Sequence, residues 1–124
     1  MIINGDNEAK LTTKGEELEN AGIGATNGAN ITINGGNIVA NQGGVGQAPG
    51  ICSAGWGKAC GTITINGGTI ESYGGSQSPS IGNGDSASCG NITISGTSTV
   101  VYAKKGSGQN LASIGWDNNG SLVR

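Results

Sequence analysis

The sequence predicts an all-β fold, a parallel β-solenoid of about four coils with three short strands per coil. Two observations predict it: a composition that favours strands and turns, and an internal repeat of about thirty residues. The 124 residues include 26 Gly, 14 Asn and 14 Ile, but only four Leu and no Phe. A chain so rich in β-branched and turn residues, and so poor in strong helix formers, is neither a helical bundle nor a doubly wound α/β domain.

The internal repeat is clearest at the apolar triplet Ile-Thr-Ile. This triplet occurs at 31–33, 63–65 and 92–94, at offsets of 32 and 29 residues. The apolar pairs Ile2-Ile3 and Leu122-Val123 lie about thirty residues before and after the series. Such a period is typical of solenoids, in which each repeat packs only on its neighbours. The chain is therefore predicted to be one domain, 1–124, with four repeats at about 1–30, 31–61, 62–90 and 91–120.

Each repeat contains two more β-prone segments, which complete the three strands of a coil. The second strand follows the first by a few residues and is predicted at Lys10–Thr13, Ile38–Ala40, Ile70–Ser72 and Val100–Tyr102. The third strand closes the repeat and is predicted at Gly22–Gly24, Gly50–Cys52, Ser80–Gly82 and Ser113–Gly115. Gly, Asn and Ser separate these segments, as is usual at corners. This alignment places Tyr102 at an inward, core position.

Alternation within the strands predicts which side chains form the core. Because the side chains of a strand point alternately to its two faces, Ile63 and Ile65 point one way and Thr64 the other. Equivalent Ile residues of successive coils should stack into interior ladders. One predicted ladder is Ile33, Ile65 and Ile94, and another is Ile23, Ile51, Ile81 and Ile114. A closed fold with threefold symmetry, a β-prism or a β-trefoil, is the alternative, but four repeats favour the solenoid.

Two of the three cysteines occupy the same corner of successive repeats. Cys60 and Cys89 each precede an apolar triplet by three residues, which would place their Cα atoms about 5 Å apart across a sheet. That separation is within the range of a disulfide, and a stack of two buried free thiols is the equal alternative. Cys52 is predicted to be free. Three thiols without His and without C-x-x-C spacing fall short of a tetrahedral metal site, so no metal is expected.

Composition and charge exclude several classes of function. The chain has no His, which excludes imidazole-based acid–base chemistry. The net charge is −2, so the chain lacks the basic surface that holds a nucleic acid backbone. Its longest apolar run is far too short to span a membrane, and its first residues lack the pattern of a signal peptide. We therefore expect no nucleic acid partner and no membrane insertion.

The acidic residues are distributed in a way that does not predict catalysis. Carbohydrate-cleaving β-helices use clustered carboxylates or a Ca²⁺ held by Asp, whereas Glu71, Asp85 and Asp117 stand singly. One acidic cluster lies in the first repeat and is interpreted as a solvated edge that discourages aggregation. It contains Asp6, Glu8, Glu16, Glu17 and Glu19, beside Lys10 and Lys14. No catalytic residue and no cofactor are predicted, although Asp85 or Asp117 could contribute to a weak Ca²⁺ site.

A polar row and three aromatic side chains are the candidate ligand-binding residues. The outward positions of the first strands form a grid of hydroxyl and amide groups that can meet sugar hydroxyls, and its members are Thr32, Thr64, Thr93, Asn34 and Asn66. Trp56 and Trp116 follow the third strands of their repeats, and Tyr73 should point outward from a second strand. Exposed aromatic rings of this kind stack on sugar rings. Packing of Trp116 across a coil end and of Tyr73 over a corner is the alternative.

The repeat units also carry a family resemblance. The segments 63–70 (Ile-Thr-Ile-Asn-Gly-Gly-Thr-Ile) and 80–84 (Ser-Ile-Gly-Asn-Gly) resemble the repeats of glycine-rich β-helical segments in large surface proteins of Gram-positive gut bacteria. Such segments are often labelled carbohydrate-binding domains. The resemblance covers nearly the whole chain and is one of repeat style. It implies a right-handed parallel β-helix on a bacterial cell surface, with a polysaccharide or cell-surface glycan as partner, and it supplies no catalytic or ligand-binding residue.

Taken together, these features predict a non-enzymatic, glycan-contacting or adhesive stalk segment, located outside the cell or on its surface. Ligand contact is expected on the outer surface, because the interior of this short solenoid is filled by Ile ladders and has no room for a cavity. The alternative is a self-assembling structural solenoid whose copies stack end to end into fibres. The chain has no recognisable cap at either end, which is compatible with both functions.

Overall fold

The computed structural model describes residues 1–16, 18–42, 46–53, 58–84, 86–115 and 121–122. Every helix or strand in these ranges is a β-strand, so they contain no helix long and apolar enough to cross a membrane. The strands are β1 (Ile2–Ile3), β2 (Lys10–Lys14), β3 (Ile23–Ala25), β4 (Ile31–Ile33), β5 (Asn37–Asn41), β6 (Ile51–Ser53), β7 (Ile63–Ile65), β8 (Thr69–Tyr73), β9 (Ile81–Gly82), β10 (Ser88–Cys89), β11 (Ile92–Ile94), β12 (Val100–Lys104), β13 (Ile114–Gly115) and β14 (Ser121–Leu122).

The strands form three parallel sheets that follow the axis of the stack. The first sheet has the order β1-β4-β7-β11, the second β2-β5-β8-β12 and the third β3-β6-β9-β13. Neighbouring strands in each sheet belong to successive turns of the chain, so the predicted parallel β-solenoid is confirmed. A short fourth side, which the repeat pattern did not reveal, is formed by β10 and β14 and by a parallel bridge between Ala59 and Ser88.

The strand register reproduces the predicted stacking of isoleucines. In the first sheet Ile33 pairs with Ile65, and Ile65 pairs with Ile94. The third sheet aligns its isoleucines in the same way, through Ile23, Ile51, Ile81 and Ile114. The second sheet adds a ladder of Leu11, Ile38, Ile70 and Val101.

Burial of these ladders differs between the middle and the last coil. Ile33, Ile65 and Ile51 are fully buried, and burial of each such side chain contributes about 1.5–3 kcal/mol. In contrast, Ile94 is 41% exposed and Ile114 is 38% exposed. Both belong to edge strands of their sheets. The prediction that they lie in the ladders is confirmed, whereas their full burial as core residues is not.

The corner after each first strand depends on glycine. Gly36, Gly68 and Gly96 occupy it in successive coils with φ of 96°, 95° and 98°, a conformation that only glycine adopts at little cost. The corner of the last coil is two residues longer, because Ile94 pairs with Ile65 at an offset of 29 whereas Val101 pairs with Ile70 at an offset of 31.

One predicted core residue lies on the surface, because the repeat alignment counted one additional residue in this corner and the structure has two. The sequence alignment placed Tyr102 beside Ser72, which would make it an inward residue. In the structure Tyr102 pairs with Glu71 instead, and Ala103 takes the place beside Ser72. Tyr102 is therefore outward and 55% exposed, so the prediction that it lies in the core is wrong.

The disulfide also differs from the predicted one. Cys52 is bonded to Cys60, with a Cα–Cα distance of 5.9 Å, and Cys89 is a buried free thiol. The prediction of a Cys60–Cys89 bridge with Cys52 free is therefore wrong. Alternation would point Cys52 away from the inward Ile51, but Cys52 has a left-handed φ of 134° and lies fully buried in the core. The sequence pattern assumed regular strand geometry at this residue and could not show that its thiol reaches Cys60.

Candidate ligand-contact surface

The threonine row of the first sheet is assembled as predicted by the alternation of its strands. Thr32 pairs with Thr64 and Thr64 pairs with Thr93, so the three hydroxyl-bearing side chains form one column across β4, β7 and β11. Thr32 and Thr64 are half-buried, and Thr93 is exposed. The hydroxyl groups are thus presented at the spacing of neighbouring strands, about 4.8 Å.

A second column on the same sheet consists of amide side chains that bond to one another. The Asn34 Nδ2 donates to Asn4 Oδ1 at 2.8 Å, and the Asn66 Nδ2 donates to Asn34 Oδ1 at 2.9 Å. Ser95 Oγ continues the column by donating to Asn66 Oδ1 at 3.2 Å. We call these four residues the amide ladder. Since each link joins two coils, the ladder supports the stack, and each Asn amide retains a second N–H group.

Several predicted site residues lie outside the described part of the chain. These are Trp56 and Trp116 among the aromatic candidates, and Asp85 and Asp117 among the candidate Ca²⁺ ligands. Within the described residues, no group of three or more Cys, Asp and Glu is placed to hold a metal ion. The acidic side chains Asp6, Glu8, Glu16 and Glu19 of the first coil are exposed, and Glu17 is outside the described residues.

Tyr73 lies on the outward face of the second sheet and is accompanied by a second aromatic ring. The rings of Tyr73 and Tyr102 have centroids 6.0 Å apart and planes inclined at 54°. The register explains the pairing: Tyr102 is opposite Glu71 and Tyr73 is opposite Lys104, so the tyrosines are diagonal neighbours on adjacent strands. The repeat alignment does not predict this pair, because it places Tyr102 beside Ser72, one position away from its partner Glu71.

A carboxylate fixes the hydroxyl end of Tyr73. Tyr73 Oη donates a hydrogen bond to Glu71 Oε2 at 3.0 Å. This bond raises the pKa of Tyr73 above its ordinary value, because it favours the protonated phenol, and the negative charge of Glu71 acts in the same direction. The hydroxyl is thereby held toward Glu71, and the tyrosine pair forms a platform with a defined orientation.

A surface groove of about 330 Å³ runs along one side of this platform. Tyr73 forms one wall, and Lys104 and Lys105 contribute two positive charges. Hydroxyl, amide and backbone groups complete the lining, from Asn41, Gly74, Ser76, Gly106 and Ser107. We call the tyrosine pair and this lining the tyrosine–lysine groove.

Charge is distributed unevenly along the solenoid. The lysines of the first coil, Lys10 and Lys14, lie in a segment that also contains the acidic cluster. Residues 86–115, by contrast, contain two lysines, Lys104 and Lys105, and no Asp or Glu. Together with the carboxylate of Glu71 at the hydroxyl of Tyr73, these two lysines leave the tyrosine–lysine groove with a positive balance of one charge, on a chain with a net charge of −2.

A second groove, of about 600 Å³, lies at the first coil and has a different character. Lys14 and Glu16 give it one charge of each sign, and the remaining lining is small or polar, from Gly15, Asn20, Ala21, Gly24 and Thr26. It contains no aromatic ring. The tyrosine–lysine groove is therefore the better candidate for contact with a specific ligand.

Comparison with known proteins agrees with the architecture. Residues 31–55 and 63–85 match a protein family described as beta helix repeat. These two segments contain β4 to β6 and β7 to β9, which are the middle coils of the stack. Searches among curated proteins and among solved structures found no significant match.

Proposed function

We propose that the chain is a non-enzymatic, glycan-contacting module of an extracellular or cell-surface protein. The observation that carries the proposal is the tyrosine pair, with Tyr102 exposed and Tyr73 half-buried, beside Lys104 and Lys105 on the outward face of the second sheet. Tyrosine offers an apolar face to the C–H groups of a sugar ring and a hydroxyl to its oxygen atoms. The platform is held by parallel strands rather than by a flexible loop, which lowers the entropic cost of binding.

The lysines favour an acidic glycan over a neutral one. An ammonium group is a compact donor of three hydrogen bonds, and its attraction to a carboxylate or sulfate is added to the stacking on tyrosine. The lining hydroxyl of Ser107 can donate to or accept from sugar hydroxyls, and that of Ser76, which donates to Gly46 O at 3.4 Å, can accept from them. Contact on this shallow surface should be weak for one module and strengthened when several modules meet one polymer.

The location outside the cell is supported by the Cys52–Cys60 disulfide. Structural disulfides persist in oxidising compartments and are rare in the cytosol of most organisms. A non-enzymatic role is supported by the environment of Glu71, whose carboxylate accepts a hydrogen bond from Tyr73 rather than facing a second acid.

The proposal is tested by electrophoresis of the native protein in gels that contain a polysaccharide. A uronic-acid polymer should retard the parent protein more than a neutral polymer does. Tyr102→Ala should weaken retention about two- to thirteenfold, since an aromatic contact contributes about 0.5–1.5 kcal/mol. Val100→Ala is the matched control, because Val100 is an outward residue of the same strand and is 56% exposed. Retention of the Tyr102→Ala protein equal to that of the parent would contradict the proposed site.

The lysines are tested separately in the same gels. Lys104→Gln should reduce retention by the uronic-acid polymer and leave retention by a neutral polymer unchanged. Equal mobility of the parent in gels with and without every polymer would contradict glycan contact altogether.

Self-association end to end is the second candidate function. Apolar side chains are exposed on the outer edges of the first and last described coils, among them Ile2 and Leu11 on one edge and Ile94, Val100 and Ile114 on the other. Each edge could accept another coil in parallel register. Sedimentation velocity at increasing protein concentration distinguishes the two functions: filament growth supports self-association, and a constant monomeric size contradicts it.

A further inference from the structure

The three cysteines of the chain lie in one buried cluster. Cys52 is fully buried, Cys60 is 4% exposed and Cys89 is 1% exposed, and all three belong to the same apolar core. Cys52 and Cys60 are bonded, whereas Cys89 is a free thiol. A disulfide with a third thiol packed in its own core has the reactants for an internal exchange.

The backbone places Cys89 beside Cys60. Ala59 and Ser88 form a parallel bridge, so the residues that follow them, Cys60 and Cys89, are equivalent positions of successive coils. The Cys60 N–H donates to Ser88 O at 3.1 Å, and the Gly90 N–H donates to Gly61 O at 2.9 Å. Equivalent residues of neighbouring strands have Cα atoms about 4.8 Å apart, which is within the range that a disulfide spans.

Cys52, the present partner of Cys60, is held in a conformation that suits glycine. Its φ is 134°, and its register partners in the third sheet are Gly24 and Gly82. Gly82 has a φ of 138°. A residue with a Cβ is strained in this region. Because Gly82 has the same φ without a disulfide, this conformation is set by the position in the coil, and the glycine of the neighbouring coil shows that the position does not require the bond to Cys60.

We propose that Cys89 exchanges with the Cys52–Cys60 disulfide to form an alternative Cys60–Cys89 bond. In this step the Cys89 thiolate attacks the Sγ of Cys60, the Cys52–Cys60 bond breaks, and Cys52 leaves as a thiolate that takes up the proton. One disulfide and one thiol are present before and after, so no oxidant or reductant is required. The exchange replaces the Cys52–Cys60 disulfide, whose cysteines are eight residues apart in the sequence, by a disulfide that joins two successive coils.

The environment of Cys89 sets the conditions under which the exchange is measurable. Its Sγ lies 3.7 Å from Asn83 Oδ1, and burial raises the pKa of the thiol to about 11. Because the thiolate is the attacking species, its fraction rises about tenfold per pH unit below this pKa. The exchange is therefore slow at neutral pH and should be faster in alkaline solution.

The two disulfide forms are distinguished by proteolysis, after the protein has been unfolded in denaturant and its free thiol has been blocked at acidic pH. Lys58 separates Cys52 from Cys60, whereas Cys60 and Cys89 share the tryptic segment 59–104. Trypsin therefore leaves segments 15–58 and 59–104 joined in the Cys52–Cys60 form and separate in the Cys60–Cys89 form. Further cleavage after Glu71 separates Cys60 from Cys89 and identifies the bonded pair by mass.

Incubation of the folded protein at pH 8, 9 and 10 tests the exchange directly. The separated form should appear about tenfold faster at pH 9 than at pH 8, at a rate independent of protein concentration. In the control variant Cys89→Ser the two segments should remain joined at every pH. Segments that remain equally joined in the parent, or a rate proportional to protein concentration, would overturn the proposal.

A second variant tests the proximity of the two thiols without the exchange. Cys52→Gly places at this position the residue found in the neighbouring coils, and it leaves Cys60 and Cys89 as the two remaining thiols. Oxidised glutathione should convert them into an intramolecular disulfide. Recovery of two unbridged thiols from the folded variant would show that Cys89 does not reach Cys60 and would also overturn the proposal.

Discussion

The first and second sheets both pair their strands in parallel, but the residues at equivalent outward positions are similar in the first sheet and different in the second. On the first sheet the same chemistry recurs in each coil, as a column of threonines and as the amide ladder. On the second sheet one column reads Lys14, Asn41, Tyr73 and Lys104, so its chemistry changes at each coil. The repeated face links coil to coil, whereas the varied face presents aromatic and charged groups to solvent. If the proposed glycan contact is correct, departure from the repeat indicates the ligand site better than the repeat itself does.

The largest effect should come from the core that supports both faces. Ile65→Ala should lower the free energy of unfolding by about 2–5 kcal/mol, because it opens a cavity in a fully buried ladder. Ile94→Ala should cost less, since Ile94 occupies the same ladder but is 41% exposed. Urea denaturation of both variants measures the difference. Equal losses would show that the middle and last coils are buried to the same extent.

A smaller effect separates the roles of the two faces. Asn66→Ala removes one bond to Asn34 and one from Ser95, and it should lower the free energy of unfolding by about 1 kcal/mol. It should leave glycan retention unchanged, in contrast to Tyr102→Ala, which should weaken retention with little loss of stability. Thermal denaturation and affinity electrophoresis of the two variants provide the comparison. Loss of retention in Asn66→Ala would move the binding surface to the first sheet.

The smallest effect concerns the orientation of the platform on the second sheet. Glu71→Gln removes the negative charge that disfavours the ionised phenol, so the raised pKa of Tyr73 should fall toward its ordinary value. Ultraviolet titration of tyrosinate measures the change, and Tyr73→Phe identifies which part of the titration belongs to Tyr73. An unaltered titration curve would mean that Glu71 does not hold the hydroxyl in solution.

The regular part of this fold could be predicted from the sequence because the residues that recur about every thirty positions are the buried ones. The Ile-Thr-Ile triplets specify both the register of the first sheet and the face that is buried, and the structure confirms both for Ile33 and Ile65. Each coil packs on a near copy of itself, so aligning the repeats is equivalent to aligning the strands.

The irregular part depended on backbone details that the alignment did not contain. The alignment counted one additional residue in the corner before β12 whereas the structure has two, and this one-residue difference places Tyr102, half of the tyrosine pair, on the surface instead of in the predicted core. A left-handed φ at Cys52 turned its side chain into the core and gave Cys60 a partner in its own coil. The first difference arises where one coil departs from the others in length, and the second arises from a backbone conformation that Cys52 shares with Gly82 and that a repeat alignment does not contain.

The amide ladder also gives the molecule a direction. Asn34 donates to Asn4, Asn66 donates to Asn34 and Ser95 donates to Asn66, so every link points from a later coil to an earlier one. The dipoles of these links add along the solenoid axis instead of cancelling. The two ends of the ladder are therefore chemically different, because it ends on an acceptor at Asn4 and on a donor at Ser95.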